Sequence, residues 1–238
     1  MRKTVINSIC IIFSLFILNK NLISQNFKNE NKKSIGVSYS PNYCYRTLII
    51  SDDIATETLS VLNNDNPVYG YSIGLTFLNK FHYRWGYETG VFYSQVVGWE
   101  RNIEFPKAKI EDTKFKLNAE VPLKINYLVY EVEKISAFAS FGFIPNIQLA
   151  TKYLENTYYA GSSISRDNQI ILADKLSANI AVISGLGVNY SFSKNYFLRT
   201  EFTFRHSIFN DDKDRLTKSY KMYGYSLGAS FGFYYLFK

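Results

Sequence analysis

Cysteine, histidine and tryptophan are nearly missing from this chain, with two of each in 238 residues. Cys10 lies inside an apolar N-terminal run, which leaves Cys44 alone in the remainder; that excludes an intramolecular disulfide and every cysteine-based metal motif. His82 and His206 are too few for a histidine-based metal centre. Long apolar runs are lacking too. The stretch from Val5 to Leu18 is interrupted by Asn7, Ser8 and Ser14, and it falls short of the roughly 20 residues that a membrane-spanning helix requires. No glycine-rich phosphate cradle occurs, and the lysines and arginines are spread along the chain rather than clustered, which sets aside nucleic acid as a partner.

What is present in quantity is aromatic. The chain carries 20 Tyr and 19 Phe against only 20% charged residues, a composition that suits a barrel with aromatic girdles at two lipid interfaces. The N-terminus fits export: Arg2 and Lys3 precede the apolar run, and Ser24 and Gln25 follow it, the layout of a secretory leader cleaved after Ser24. The expected division is a signal peptide over residues 1–24 and an outer-membrane β-barrel domain over residues 25–238. Loss of Arg2, Lys3 and Lys20 with the leader lowers the formal net charge from +7 to +4.

Alternation with a period of two runs through the rest. The last strand sets Tyr225, Leu227, Ala229, Phe231, Phe233, Tyr235 and Phe237 on one face, with small residues on the other. Eight such segments are expected, at about 34–46, 68–78, 84–98, 114–129, 134–152, 176–192 and 195–207, and at the C-terminus. Between them, long polar connections (Thr47 to Pro67, Trp99 to Thr113, Tyr153 to Lys175, Ile208 to Lys218) alternate strictly with short ones. This predicts an all-β, eight-stranded antiparallel up-and-down transmembrane β-barrel with short periplasmic turns and long extracellular loops.

The inward faces are expected to carry Glu88, Lys116, Glu120, Lys124, Arg199, Glu201 and Arg205. An eight-stranded barrel has an interior just wide enough for side chains, so these charges should pair in a structural network rather than line a pore. His206 beside Ser207 resembles in position the site of small lipid hydrolases, but neighbouring residues of a strand point to opposite faces, and an interfacial His in a girdle position is the simpler account. Asn210, Asp211, Asp212 and Asp214 lack the glycine and distal glutamate of a calcium loop, and they read as a solvated turn, as do Asp52, Asp53 and Glu57. No catalytic residue, metal or cofactor is expected.

The Glu120-Val121-Pro122-Leu123-Lys124 run is similar to the E-[IV]-P-L signature of the PorT-like outer-membrane β-barrel family of Gram-negative bacteria. The Gly185-Leu186-Gly187-Val188 run, Arg199 with Glu201 to Arg205, and the aromatic last strand resemble that family as well. The resemblance implies the barrel fold and an outer-membrane location. The first functional expectation is a non-enzymatic barrel that offers its extracellular loops to a protein or surface ligand, or supports assembly of an envelope or secretion machine, with membrane lipid as its surroundings. The alternative is a small-solute or ion channel, and the third reading is a surface lipid hydrolase.

Overall fold

The computed structural model describes residues 32–50, 65–105, 108–159, 162–208 and 220–237. The expected leader and the acidic groups at Asp52, Asp53 and Glu57 and at Asn210 to Asp214 lie outside the described residues. The strands are β1 (Lys32–Ile50), β2 (Val68–Lys80), β3 (Trp85–Phe105), β4 in two segments (Ala108–Glu120 and Leu123–Val132), β5 (Ile135–Tyr159), β6 (Ser162–Ser191), β7 (Tyr196–Ser207) and β8 (Tyr220–Phe237). Each pairs antiparallel with its neighbours in sequence, and β1 closes the ring on β8, from Lys33 opposite Phe237 to Ile50 opposite Tyr220. The expected eight-stranded up-and-down barrel is the fold. Closure leaves the barrel wall without an edge, so the ladder satisfies its backbone groups internally.

The period of two decides which residues face which side. On β1, Ser34, Ser38, Ser40, Asn42 and Cys44 are buried, while Ile35, Val37, Tyr39, Tyr43 and Tyr45 are exposed. Across the barrel the outside is apolar: Leu75, Val91, Leu123, Ile125, Phe141, Phe143, Leu186, Phe202, Leu227 and Phe231 are all exposed. The turns at one end are tight, at residues 81–84, 133–134 and 192–195. Glu133 takes the left-handed conformation there (φ 45°), as a two-residue hairpin demands.

Two expectations about the other end need correction. Trp99 to Thr113 and Tyr153 to Lys175 are mostly strand, not loop, since β3 and β4 stay paired to Phe105 opposite Ala108, and β5 and β6 to Tyr159 opposite Ser162. Four strands therefore continue past the barrel as a sheet. Alternation fades in these stretches because both faces can meet water above a lipid belt, so the pattern that betrays a strand below is no longer required.

Bulges separate the two regions. The β3–β4 ladder shifts register between Ser94 and Val97, β4–β5 shifts between Leu117 and Asn118, and β5–β6 shifts between Gln148 and Ala150. Each extra residue swaps the faces of everything beyond it. Leu117 and Asn118 are consequently both buried, although they are adjacent.

A closed ring of charges in the lumen

Strands β3, β4 and β7 aim their charged residues into the lumen because each charge holds an inward position of the two-residue period, opposite the exposed aromatic and aliphatic set. Four of them close on one another. Lys124 Nζ lies 2.5 Å from Glu88 Oε1 and 2.9 Å from Glu201 Oε2, while Arg199 Nη2 lies 2.8 Å from Glu88 Oε2 and 3.7 Å from Glu201 Oε2. The circuit Glu88, Lys124, Glu201, Arg199 alternates in sign, and every member is less than 10% exposed. Taking charges this far out of water costs several kcal/mol per ion, roughly, and only good geometry with further hydrogen bonds offsets it.

Those hydrogen bonds are present. Arg199 Nη2 donates to Asn126 Oδ1 at 2.9 Å, Ser140 Oγ donates to Glu201 Oε1, and Asn126 Nδ2 reaches Glu88 Oε2 at 3.5 Å. The Arg199 guanidinium also lies 3.5 Å from the centroid of the Phe138 ring, a close cation–π contact. Beside the ring, Arg205 Nη1 lies 3.0 Å from Glu120 Oε2, whose other oxygen accepts from Ser94 Oγ at 2.5 Å. Three carboxylates thus meet three cations. The facing wall, from β1, β2 and β8, is small and polar: Ser38 bonds Thr76 at 3.0 Å and Tyr234 at 2.8 Å.

Glycines make the room this needs. A Cβ at Gly185 would come 2.5 Å from Glu201 Oε1 and 2.9 Å from Ser140 Oγ, so any larger residue there displaces the circuit. Apolar layers lie on either side of the charges. Toward the tight turns, Phe138, Leu78 and Tyr234 are buried, with Phe197 stacked on Tyr234 at 4.9 Å and 8°. Toward the extended sheet, Phe92, Ile144, Ile183, Phe115, Leu117 and Ala150 are buried. A cavity beside Glu88, Glu120, Lys124 and Arg205 has about 20 Å³ available, room for about one water.

The structure therefore places six of the seven expected charges, Glu88, Glu120, Lys124, Arg199, Glu201 and Arg205, in these two groups. The seventh, Lys116, lies between buried Phe115 and Leu117 on β4, where the register with both neighbouring strands shifts, and is half-buried. The apolar layer of Phe115 and Leu117 was hidden from sequence reasoning, since Phe115-Lys116-Leu117-Asn118 alternates without interruption and carries no glycine or proline to mark a bulge. His206 stacks on Tyr225 with centroids 4.7 Å apart and planes at 19°, in register with Val182, while Ser207 follows on the alternate face. Among the described residues, no three carboxylate, imidazole or thiol groups converge as metal ligands.

No protein-family model matches the chain, and no curated protein matches it. Among solved structures it is similar to the outer membrane protein OprG from Pseudomonas aeruginosa, at 13% identity over 88% of this chain and 97% of that one, with a TM-score of 0.45. It is similar also to Neisserial surface protein A, at 10% identity over 85% of this chain and 98% of that one, with a TM-score of 0.36. A third is Ail, the attachment invasion locus protein of Yersinia pestis, in complex with a heparin analogue, at 12% identity over 85% of this chain and 99% of that one, with a TM-score of 0.32. Likenesses this weak leave the assignment of the barrel to the chain's own strand pairing.

Proposed function

We propose that this chain is an outer-membrane barrel of the PorT-like kind, exported by a cleaved leader over residues 1–24, which conducts nothing and catalyses nothing. It acts by presenting the sheet that β3 to β6 build above the membrane to a protein or surface ligand, or to an envelope machine under assembly. The apolar exterior supports a lipid setting, because a closed antiparallel barrel satisfies its backbone internally while Leu, Phe and Val side chains face out. The observation that carries the non-conducting reading is the closed charge circuit, stacked between apolar layers, with a cavity beside it that has room for about one water. A filled lumen leaves specificity to surfaces carried on the scaffold.

Planar-bilayer recording of the purified, refolded protein tests this. Silence is expected, at a protein load where heat-modifiable migration shows that the barrel has inserted. Discrete, reproducible conductance steps at that load would replace this reading with the small-solute or ion channel.

A further inference from the structure

Aromatic rings follow one another along the tight-turn end of the barrel from β7 to β3. Between centroids, Phe192 and Tyr196 lie 6.2 Å apart, Tyr196 and Tyr235 5.3 Å, Tyr235 and Phe237 6.5 Å, Phe237 and Phe77 6.4 Å, and Phe77 and Tyr87 6.1 Å. Such a row marks the depth at which hydrocarbon gives way to headgroups. Lysines stand at the same edge. Lys33 lies opposite Phe237 on β8 and Asn79 on β2, and an unbroken register through buried Ser34 to exposed Ile35 puts it on the outer face that Ile35 and Val37 share. The Leu236 N–H donates to the Asn195 carbonyl at 2.7 Å, so Lys194, the preceding residue of the turn, stands level with Phe237 on its other side. Lys32 faces Lys80 across the β1–β2 ladder, a like-charge pair of which Glu131, 3.7 Å from Lys80, offsets only one member.

Lys32, Lys33 and Lys194 are exposed and make no ion pair among the described residues. No aspartate or glutamate occurs in residues 32–34, 78–84, 192–196 or 234–237, so this arc of the rim carries its positive charge without a counter-charge of its own. We infer that Lys33 and Lys194 bind the phosphate of an anionic phospholipid in the leaflet on the tight-turn side. The inference rests on the membrane reading given above and deepens it by naming a lipid and its leaflet. Two strand spacings, about 10 Å, separate the two backbones, a gap that two lysine stems close on one phosphate beneath Phe237. A lipid suits the site better than an acidic protein, because Lys33 is on the outer face in the row of Phe237, where headgroups already lie. Lys134 is the internal control. It is exposed on the same rim, but it follows directly on Glu133 in the β4–β5 turn.

The test is native mass spectrometry of protein refolded into vesicles of phosphatidylcholine and phosphatidylglycerol in equal amounts, after mild detergent extraction. Wild type should retain phosphatidylglycerol about thirtyfold better than phosphatidylcholine, the weight of two lysines near an anionic headgroup. The preference should fall as salt is raised. Lys33→Gln with Lys194→Gln should remove most of it, the corresponding double arginine variant should keep it, and Lys134→Gln should leave it unchanged. Equal retention of the two lipids by inserted wild-type protein would overturn the inference, leave the arc to an acidic protein and leave the barrel reading standing. So would a preference that survives intact in the double glutamine variant, or one lost as completely in Lys134→Gln. Failure of the wild type to insert into vesicles at all would overturn both.

Discussion

Removing the Arg199 guanidinium leaves buried Glu88 and Glu201 with Lys124 as the remaining cation of the circuit, and leaves Asn126 Oδ1 and the Phe138 ring without their partner. Breaking one member out of a buried ion group costs about 3 to 5 kcal/mol, because the charge left behind can neither return to water nor find a substitute. Arg199→Ala should therefore lower the unfolding free energy in urea by that amount, measured on vesicle-inserted protein. Lys116→Ala, at a half-buried position beyond the register shift, should change it by no more than about 1 kcal/mol. Equal losses in the two variants would mean that the circuit contributes nothing through burial and that the lumen is wet. Serine and threonine complete the picture at this scale: Ser140 and Ser94 are short enough to sit under the glutamates and still donate to them. Composition alone offers no means of choosing these among the many serines of the chain.

At the scale of the element, the legible part was the pleat. Wherever lipid wets one face and packed side chains the other, each strand must alternate, and β1, β2, β7 and β8 could be read almost residue for residue from their exposed aromatics and buried small residues. The illegible part begins where that contrast ends. Above the belt the outside is wet, and extra residues in β3 (Gln95 and Val96 against Leu117) and in β5 (Leu149) break the register on both sides of β4, where Phe115, Leu117 and Asn118 are all buried although the written alternation runs on undisturbed. Six of the seven charges lie below that point and keep the face that parity assigns, while Lys116 lies above it. Leu117→Ala should cost about 2 to 5 kcal/mol, as a buried apolar truncation does, whereas a leucine on the lipid face of a uniform barrel has no packed partners to lose. The same denaturation series checks this. A loss under 1 kcal/mol would mean that Leu117 has few packed partners and stands on the outer face.

For the whole molecule, the ring and the sheet above it are two regions of one β-structure. The barrel closes below the bulges, with β1 to β8 paired around its circumference and the charge circuit inside. The outer parts of β5 and β6 pair with each other, and that of β5 pairs also with β4, from Lys114 opposite Tyr153 up to Ala108 opposite Tyr159. Among the described residues, β7 runs alongside β6 only from Ser191 to Ala181, so Ser162–Leu172 has a single strand partner. Its last residues, Ile170, Ile171 and Leu172, are exposed one after another, and an apolar stretch on an unpaired edge is where an extended segment of another protein adds a strand. Joining Lys152 to Ile170 through an Asn-Gly turn removes most of this edge while keeping the rungs Thr151 with Ile171 and Ala150 with Leu172, and with them the buried layer at the mouth. The shortened protein should insert and keep its heat-modifiable migration and its unfolding midpoint, since loops and arms outside the ring carry little of the barrel's stability. It should fail to restore whatever phenotype a deletion strain shows. Full complementation by a correctly inserted, shortened barrel would remove the extended sheet from the proposal and move the activity to the turns at the opposite end or to the lumen.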